Sequence, residues 1–290
     1  MVKKQVQTFT VHAFCKNGRG GNPAGVVFEG HQLSDQDKQS IAATLGHPET
    51  AFIEPSSVAD HRICFFAPLK EVPLCGHATI ASYALMGAQG KIKAGVYRME
   101  TKAGVLPVEL LPNGEVVMDQ NLPEFGETIE SSRVWAVLGI DLDAMDGLPI
   151  QVVSTGLRKI FCPVESFEKL KAIVPDFEGI KALSRSYKVT GIYCFALDPQ
   201  DPSHIKSRNF APLVGIKEDA ATGTSVAALS CYLYHHGIKT PEQYPLSVEQ
   251  GSDLKDPGYL LGHVKVADEA IAAVQVSGAG ALTSEVVLSV

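Results

Sequence analysis

The tetrapeptide Phe66-Ala67-Pro68-Leu69 returns unchanged as Phe210-Ala211-Pro212-Leu213, 144 residues further along a chain of 290. An offset of half the chain is what an internal duplication produces. One short match proves nothing, so its surroundings must keep the same offset. They do: Glu54-Pro55 answers to Asp198-Pro199, and Val6-Gln7 to Ile150-Gln151. Beyond each copy a glycine opens a run of small and apolar residues, Gly76 to Leu85 in the first half and Gly223 to Leu233 in the second. Such a run is apolar nearly all the way round, the pattern of a helix buried on every side. The two glycines lie 147 apart, which places a short insertion between tetrapeptide and helix.

Each half carries its own menu of elements. In the first, an alternating strand from Val6 to Phe14 leads into a glycine-rich loop, Lys16 to Pro23. Ser34 caps a helix that ends at Gly46, with Ile41, Ala42 and Leu45 inward. Strands follow at Ala51-Phe52-Ile53 and from Arg62 to Phe66, then the buried helix, then three strands between Gly95 and Asp119. The second half predicts helices at Arg133 to Leu138, Phe167 to Ile173 and Phe177 to Leu183. Its strands fall around Ile150, Ile160, Ile192 and Ile205, and after the buried helix near Leu246, Leu261, Ile271 and Val286. This is α+β, mostly antiparallel, in two lobes. The expected division is residues 1–121, completed by a last strand at 279–290, and residues 122–278. Leu122-Pro123-Glu124-Phe125-Gly126 is the crossing point.

A formal charge of −7 with no basic run argues against nucleic acid or a membrane surface as partner. No stretch approaches the roughly 18 apolar residues of a membrane span, and the start lacks an apolar leader, so the expected compartment is the cytoplasm. The six cysteines show no CxxC or Cys/His ligand spacing and read as buried thiols. His235-His236 has no third ligand nearby, so no metal is expected.

The chemistry is sought where the copies differ, because a duplicated scaffold keeps its packing residues while catalytic ones diverge. Each buried helix starts with unpaired N–H groups at the positive end of its dipole, suited to a carboxylate. Gly76 and Gly223 serve close packing equally well on sequence alone. His77 is matched by Thr224 and Cys75 by Thr222, Glu49 falls opposite Tyr193, and Glu218-Asp219 has no clean partner beyond Glu71. Glu49 before the apolar Phe52 and Ile53 would have a raised pKa suited to moving a proton. It also fits a surface acid before a strand. His77 suits a general acid or a structural imidazole, and Asp219 a substrate contact or a helix cap.

Taken together, Gly21-Asn22-Pro23-Ala24-Gly25-Val26-Val27, Glu49-Thr50-Ala51-Phe52, Glu71 to Thr79, Ser154-Thr155-Gly156, Phe210-Ala211-Pro212 and Gly215 to Thr224 resemble the PhzF-type, phenazine-biosynthesis-like isomerase family. The likeness runs from the Val6 strand to the closing strands. It implies a diaminopimelate epimerase-like fold, two pseudo-symmetric half-barrels each around a central helix, with the active site in the cleft between them. It also implies that Glu49 is the proton-shuttling acid, with His77 and Asp219 as further active-site residues. Asn22, Gly76, Ala78, Gly223, Thr224 and Ser225 would then contact the substrate, a small carboxylate, with no cofactor, in a homodimer. The acid loop reads EDAATGTS where the family usually has EDPATGSA, so Ala220 replaces proline and Thr224 serine.

Epimerases of this fold use two cysteines, one at each helix start. Here Cys75 faces a counterpart, Thr222, whose hydroxyl cannot replace a thiolate. One-base proton transfer through Glu49 is therefore the expected reaction. A two-base epimerase using Cys75 and a non-enzymatic metabolite-binding protein are the alternatives.

Overall fold

The computed structural model describes residues 4–140, 147–201 and 204–290. The elements run β1 (Gln5–Cys15), β2 (Asn22–Val27), α1 (Asp35–Leu45), β3 (Glu49–Glu54), β4 (His61–Ala67), β5 (Lys70–Val72), α2 (Gly76–Ala88), β6 (Gly95–Thr101), β7 (Gly104–Leu110) and β8 (Val116–Gln120). They continue with β9 (Glu124–Thr128), α3 (Ser131–Leu138), β10 (Gln151–Ser154), β11 (Lys159–Pro163), α4 (Phe167–Ala172), α5 (Phe177–Tyr187), β12 (Ile192–Leu197), β13 (His204–Ala211), β14 (Ile216–Asp219), α6 (Gly223–His235), β15 (Leu246–Gln250), β16 (Gly258–Ala267) and β17 (Ala270–Ser289). The chain separates into two compact units, Met1–Asp119 with Ser277–Val290, and Gln120–Val276. Of the expected crossing point, Glu124, Phe125 and Gly126 already belong to β9.

The duplication is visible strand by strand. In the first unit β1–β2 is antiparallel, β2–β3 parallel, β3–β4 and β4–β5 antiparallel, β4–β6 parallel and β6–β7 antiparallel. The second unit repeats that sequence of senses in β10–β11, β11–β12, β12–β13, β13–β14, β13–β15 and β15–β16. FAPL closes β4 in one unit and β13 in the other. Phe66 packs edge-on against Phe52 at 5.5 Å between ring centroids, while Phe210 lies in the large core of the second unit. After Ala67 a two-residue turn leads to β5; after Ala211 a 3-10 turn, Pro212–Val214, leads to β14. The longer turn supplies two of the three residues of the drift in offset, and β14, one residue longer than β5, supplies the third.

Helices α2 and α6 are both 13 residues long and are buried without a break, from Ala78 to Met86 and from Ser225 to Leu233. Buried hydroxyls in them bond back within the helix, Ser82 to the Ala78 carbonyl and Ser230 to that of Val226, which satisfies them without water. Burying side chains such as Leu85 and Leu229 stabilises each unit by about 2 kcal/mol apiece. The wrapping strands come close enough to need glycine. A Cβ on Gly280 of β17 would sit 2.6 Å from the Ala84 Cβ, and one on Gly262 of β16 2.1 Å from the Ser230 Oγ.

Three details differ from the sequence expectation. Asn22 and Pro23 are not loop but open β2, and Pro23 precedes the parallel ladder with β3, which starts at Ala24, so its missing N–H breaks nothing there. Ile271 and Val286 lie on one 20-residue strand, β17, because nothing between them, proline included, ends an extended chain. Tyr193 is not the counterpart of Glu49. Thr50 pairs with Phe66 and Ile192 with Phe210, so with the two phenylalanines aligned Gly191 takes the place of Glu49. No helix among the described residues is long and apolar enough to cross a membrane.

Candidate active site

Glu49 is the first residue of β3, directly before the buried stretch Thr50 to Ile53, and paired in parallel with Ala24 of β2. Its carboxylate therefore leaves the sheet where the strand emerges, with 23 % of the side chain exposed. Cys75 is the N-cap of α2, in extended conformation at φ −141 and ψ 116, and His77 is the second residue of the helix. This turn folds both side chains back toward the β3 edge. The Cys75 thiol donates to Glu49 Oε2 at 3.4 Å, and His77 Nε2 lies 3.4 Å from the same oxygen. The Cys75 Sγ is 3.4 Å from His77 Nδ1.

Burial and the neighbouring Glu49 charge push the Cys75 thiol well above its ordinary range, against the pull of the Ala78 and His77 amides. The group is a protonated thiol at neutral pH. Burial, with a smaller contribution from His47, brings His77 down from 6.5 to about 4, so its ring is neutral at pH 7. The site is thus one carboxylate between a thiol donor and a neutral imidazole. Gly76 is exposed, and a Cβ there would meet nothing within 4 Å. Close packing is not why a glycine stands at that helix start.

The second unit builds a different set at the equivalent turn. Thr222 caps α6 with φ −131 and ψ 96, nearly the backbone of Cys75. Its hydroxyl donates to the Asp219 carboxylate at the end of β14 and accepts from Asn209 Nδ2 at 2.5 Å and Gln250 Nε2 at 3.0 Å. Asn209 Oδ1 in turn accepts from the Lys159 ammonium at 2.7 Å. Loss of water raises Asp219 from its ordinary range, opposed by Thr222, the Ala221 amide and the Lys159 charge. Burial brings Lys159 down from 10.5 to about 8, with Asp219 pulling the other way. The neighbouring acid, Glu218, is committed elsewhere. It forms a two-pronged bridge with Arg208, both contacts 2.9 Å, which anchors β14 to β13.

Within the first unit the structure brings Glu49 and His77 together, with Cys75 as a third member. Asn22 is buried at the start of β2. Ala78 and Ser225 are fully buried inside their helices, so any role there is through the backbone; the Ser225 hydroxyl has no partner among the described residues. Gly223 and Thr224 are half-buried at the start of α6, where the Thr224 carbonyl accepts from the Thr155 hydroxyl at 2.9 Å. His235 stacks on Phe125 at 4.1 Å and His236 Nε2 lies 2.9 Å from Gln151 Oε1, which spends both rings on packing. Sequence reasoning missed Lys159, Asn209 and Gln250. Lys159 had a visible signal, a lone charge opening the apolar strand Lys159–Pro163.

Residues 11–286 match the family model described as phenazine biosynthesis-like protein, PhzC-PhzF. An uncharacterized isomerase of Clostridium acetobutylicum is 32 % identical over the whole of both chains. The trans-2,3-dihydro-3-hydroxyanthranilate isomerase of Pseudomonas aeruginosa is 30 % identical, covering 95 % of this chain and 96 % of that one. The crystal structure of a PhzF-family protein from Bacillus anthracis superposes with a TM-score of 0.86 at 27 % identity, covering 98 % of this chain and 99 % of the other.

Proposed function

Since the chain belongs to the phenazine biosynthesis-like PhzC-PhzF family and is an isomerase, we propose that it moves a proton on a small carboxylate-bearing metabolite with Glu49 as both base and acid. The carboxylate would take a proton from a carbon next to an unsaturated or carbonyl-bearing centre and return it elsewhere on the same face. His77, neutral at working pH and with its one N–H on the Pro23 carbonyl, is suited to accept a hydrogen bond from a hydroxyl or ammonium group of the substrate and so orient it. Asp219 is assigned the substrate's cationic or hydroxyl groups. The open N-terminal turn of α2 at Gly76 is assigned the substrate carboxylate.

The observation that carries this reading is the pairing of Glu49 with a thiol in one unit and of Asp219 with a hydroxyl at the equivalent turn of the other. Two-base epimerisation needs an acid/base at both turns. Thr222 supplies only a hydroxyl already engaged by three neighbours. The position equivalent to Glu49 is Gly191, where a Cβ would fall 1.9 Å from the Phe210 carbonyl oxygen, so the second unit has no room for a matching acid.

The test is incubation in deuterium oxide with trans-2,3-dihydro-3-hydroxyanthranilate and a panel of small unsaturated carboxylates. Wild type should isomerise one of them. Glu49→Gln should lose at least about 100-fold in kcat, the scale of a general acid/base, while still binding the ligand. A Glu49→Gln enzyme of undiminished rate overturns the assignment.

A further inference from the structure

We infer that Glu49, Cys75 and His77 together form a binding site for a single thiophilic divalent cation, zinc above all, whose occupation blocks the proton-transfer role proposed for Glu49. Binding itself does not depend on that role; only the inhibition rests on it.

Among the described residues this is the one group of three Asp, Glu, Cys or His side chains whose donor atoms converge within 4.8 Å. Glu49 Oε2 is 3.4 Å from Cys75 Sγ and 3.4 Å from His77 Nε2, and the remaining edge, Sγ to Nε2, is 4.0 Å. Tetrahedral zinc, with bonds of about 2.3 Å to sulfur and about 2.0 Å to nitrogen and oxygen, holds its donors about 3.3–3.6 Å apart. Two edges already fit, and the third needs a closure of a few tenths of an ångström. The donors come from only two rigid places, the first residue of β3 and the first turn of α2, so little order has to be created.

The donor chemistry selects the metal. One thiolate, one imidazole and one carboxylate suit zinc, whereas calcium and magnesium require more oxygen ligands than this turn offers. The His77 ring bonds to the Pro23 carbonyl. That is the outer contact which orients a metal-bound imidazole and leaves its second nitrogen as a lone pair. With three protein ligands a fourth position stays open to water or to a substrate oxygen. The partly exposed Glu49 and His77, at 23 % and 11 %, give an ion its way in. The Cys75 proton leaves to solvent as the metal–sulfur bond forms, and the positive end of α2 opposes the cation, so affinity rests on the Glu49 carboxylate and on the thiolate made on binding.

The experiment titrates the full chain, stripped with chelator, with cobalt(II) chloride and reads the absorption spectrum, then displaces the cobalt with zinc chloride. One cobalt per chain should bind with a thiolate charge-transfer band in the near ultraviolet and intense tetrahedral bands in the visible. Cys75→Ser, checked for folding by circular dichroism, should lose the charge-transfer band. His77→Gln should weaken binding at least about 10-fold, whereas His235→Gln should leave both spectrum and affinity unchanged. Absence of tetrahedral bands, or a charge-transfer band that persists in Cys75→Ser, overturns the site. Turnover insensitive to stoichiometric zinc while tetrahedral cobalt binds would sink the Glu49 mechanism and leave the site standing. Turnover without any tetrahedral cobalt would do the reverse.

Discussion

The Lys159 ammonium lies inside the second unit, 2 % exposed, and donates to Asn209 Oδ1 at 2.7 Å. Through Asn209 and Thr222 it is joined by hydrogen bonds to the carboxylate of Asp219. A buried cation with an amide as its direct partner costs folding free energy while charged, and burial accordingly brings it from 10.5 to about 8. Between those two pH values the unfolded chain holds a proton here that the folded chain has released, so stability rises with pH across that window. The full difference is about 3 kcal/mol. Urea unfolding of wild type and Lys159→Met from pH 7.5 to 10.5 should show the rise in wild type and its loss in the variant. Asp219, deprived of the nearby positive charge, should titrate higher in Lys159→Met, and the acid limb of the pH–rate profile should move up with it.

His77 provides the opposite window. Its ring is held at about 4 against an ordinary 6.5. As pH falls from 6.5 toward 4 an unfolded chain gains a proton at this position that the folded chain refuses, and stability drops by up to about 3 kcal/mol. In His77→Gln that part of the acid loss should vanish, measured by the denaturation midpoint at pH 7, 5.5 and 4.5. A proton NMR titration should place the His77 ring below all exposed histidines. A midpoint near 6.5 would mean the ring is charged for part of the working range and cannot act as the neutral acceptor proposed.

Cys75 separates one-base from two-base chemistry. The thiol is buried beside Glu49 and protonated, so it serves as a hydrogen-bond donor and not as a base. Cys75→Ala should keep turnover within about 10-fold of wild type, since it removes only the weak hydrogen bond that an S–H group donates. Loss as large as that of Glu49→Gln would point to a thiol that carries protons. Solvent-exchange patterns distinguish the two directly, since a single carboxyl can return the proton it removed.

Much of the fold was legible because packing leaves a repeating mark on sequence. FAPL, the glycine-opened helices and the Ser34 cap are all local signals, and each recurs in the structure where the pattern put it. What was not legible depends on register. The offset of 144 taken from FAPL puts Tyr193 opposite Glu49, but the β12–β13 hairpin is two residues longer than β3–β4, and pairing puts Gly191 there. No local composition reports such a slip, because hairpin length is a property of two strands at once. The polar chain from Lys159 to Asp219 was hidden for the same reason. Its four residues lie on four different elements or their ends, and only the lone lysine in an apolar strand announces it.

Gly76 at the start of α2 and Gly191 at the place equivalent to Glu49 make the sharpest contrast. At Gly76 an added methyl group meets open space, and alanine is the better helix former, so Gly76→Ala should fold with a thermal midpoint no lower than wild type. Its methyl would stand where the substrate carboxylate is proposed to approach the helix start, and KM should rise at least about 10-fold, a loss of one well-made anion contact. Gly191→Ala has the reverse signature. The new Cβ would lie 1.9 Å from the Phe210 carbonyl oxygen and 2.9 Å from the Ala211 Cα, both backbone atoms that cannot swing aside. Destabilisation of about 3 kcal/mol or failure to fold follows from such overpacking. Thermal unfolding of both variants together with KM of Gly76→Ala decides the matter: an unaffected KM would show that the first turn of α2 is not where the anion binds.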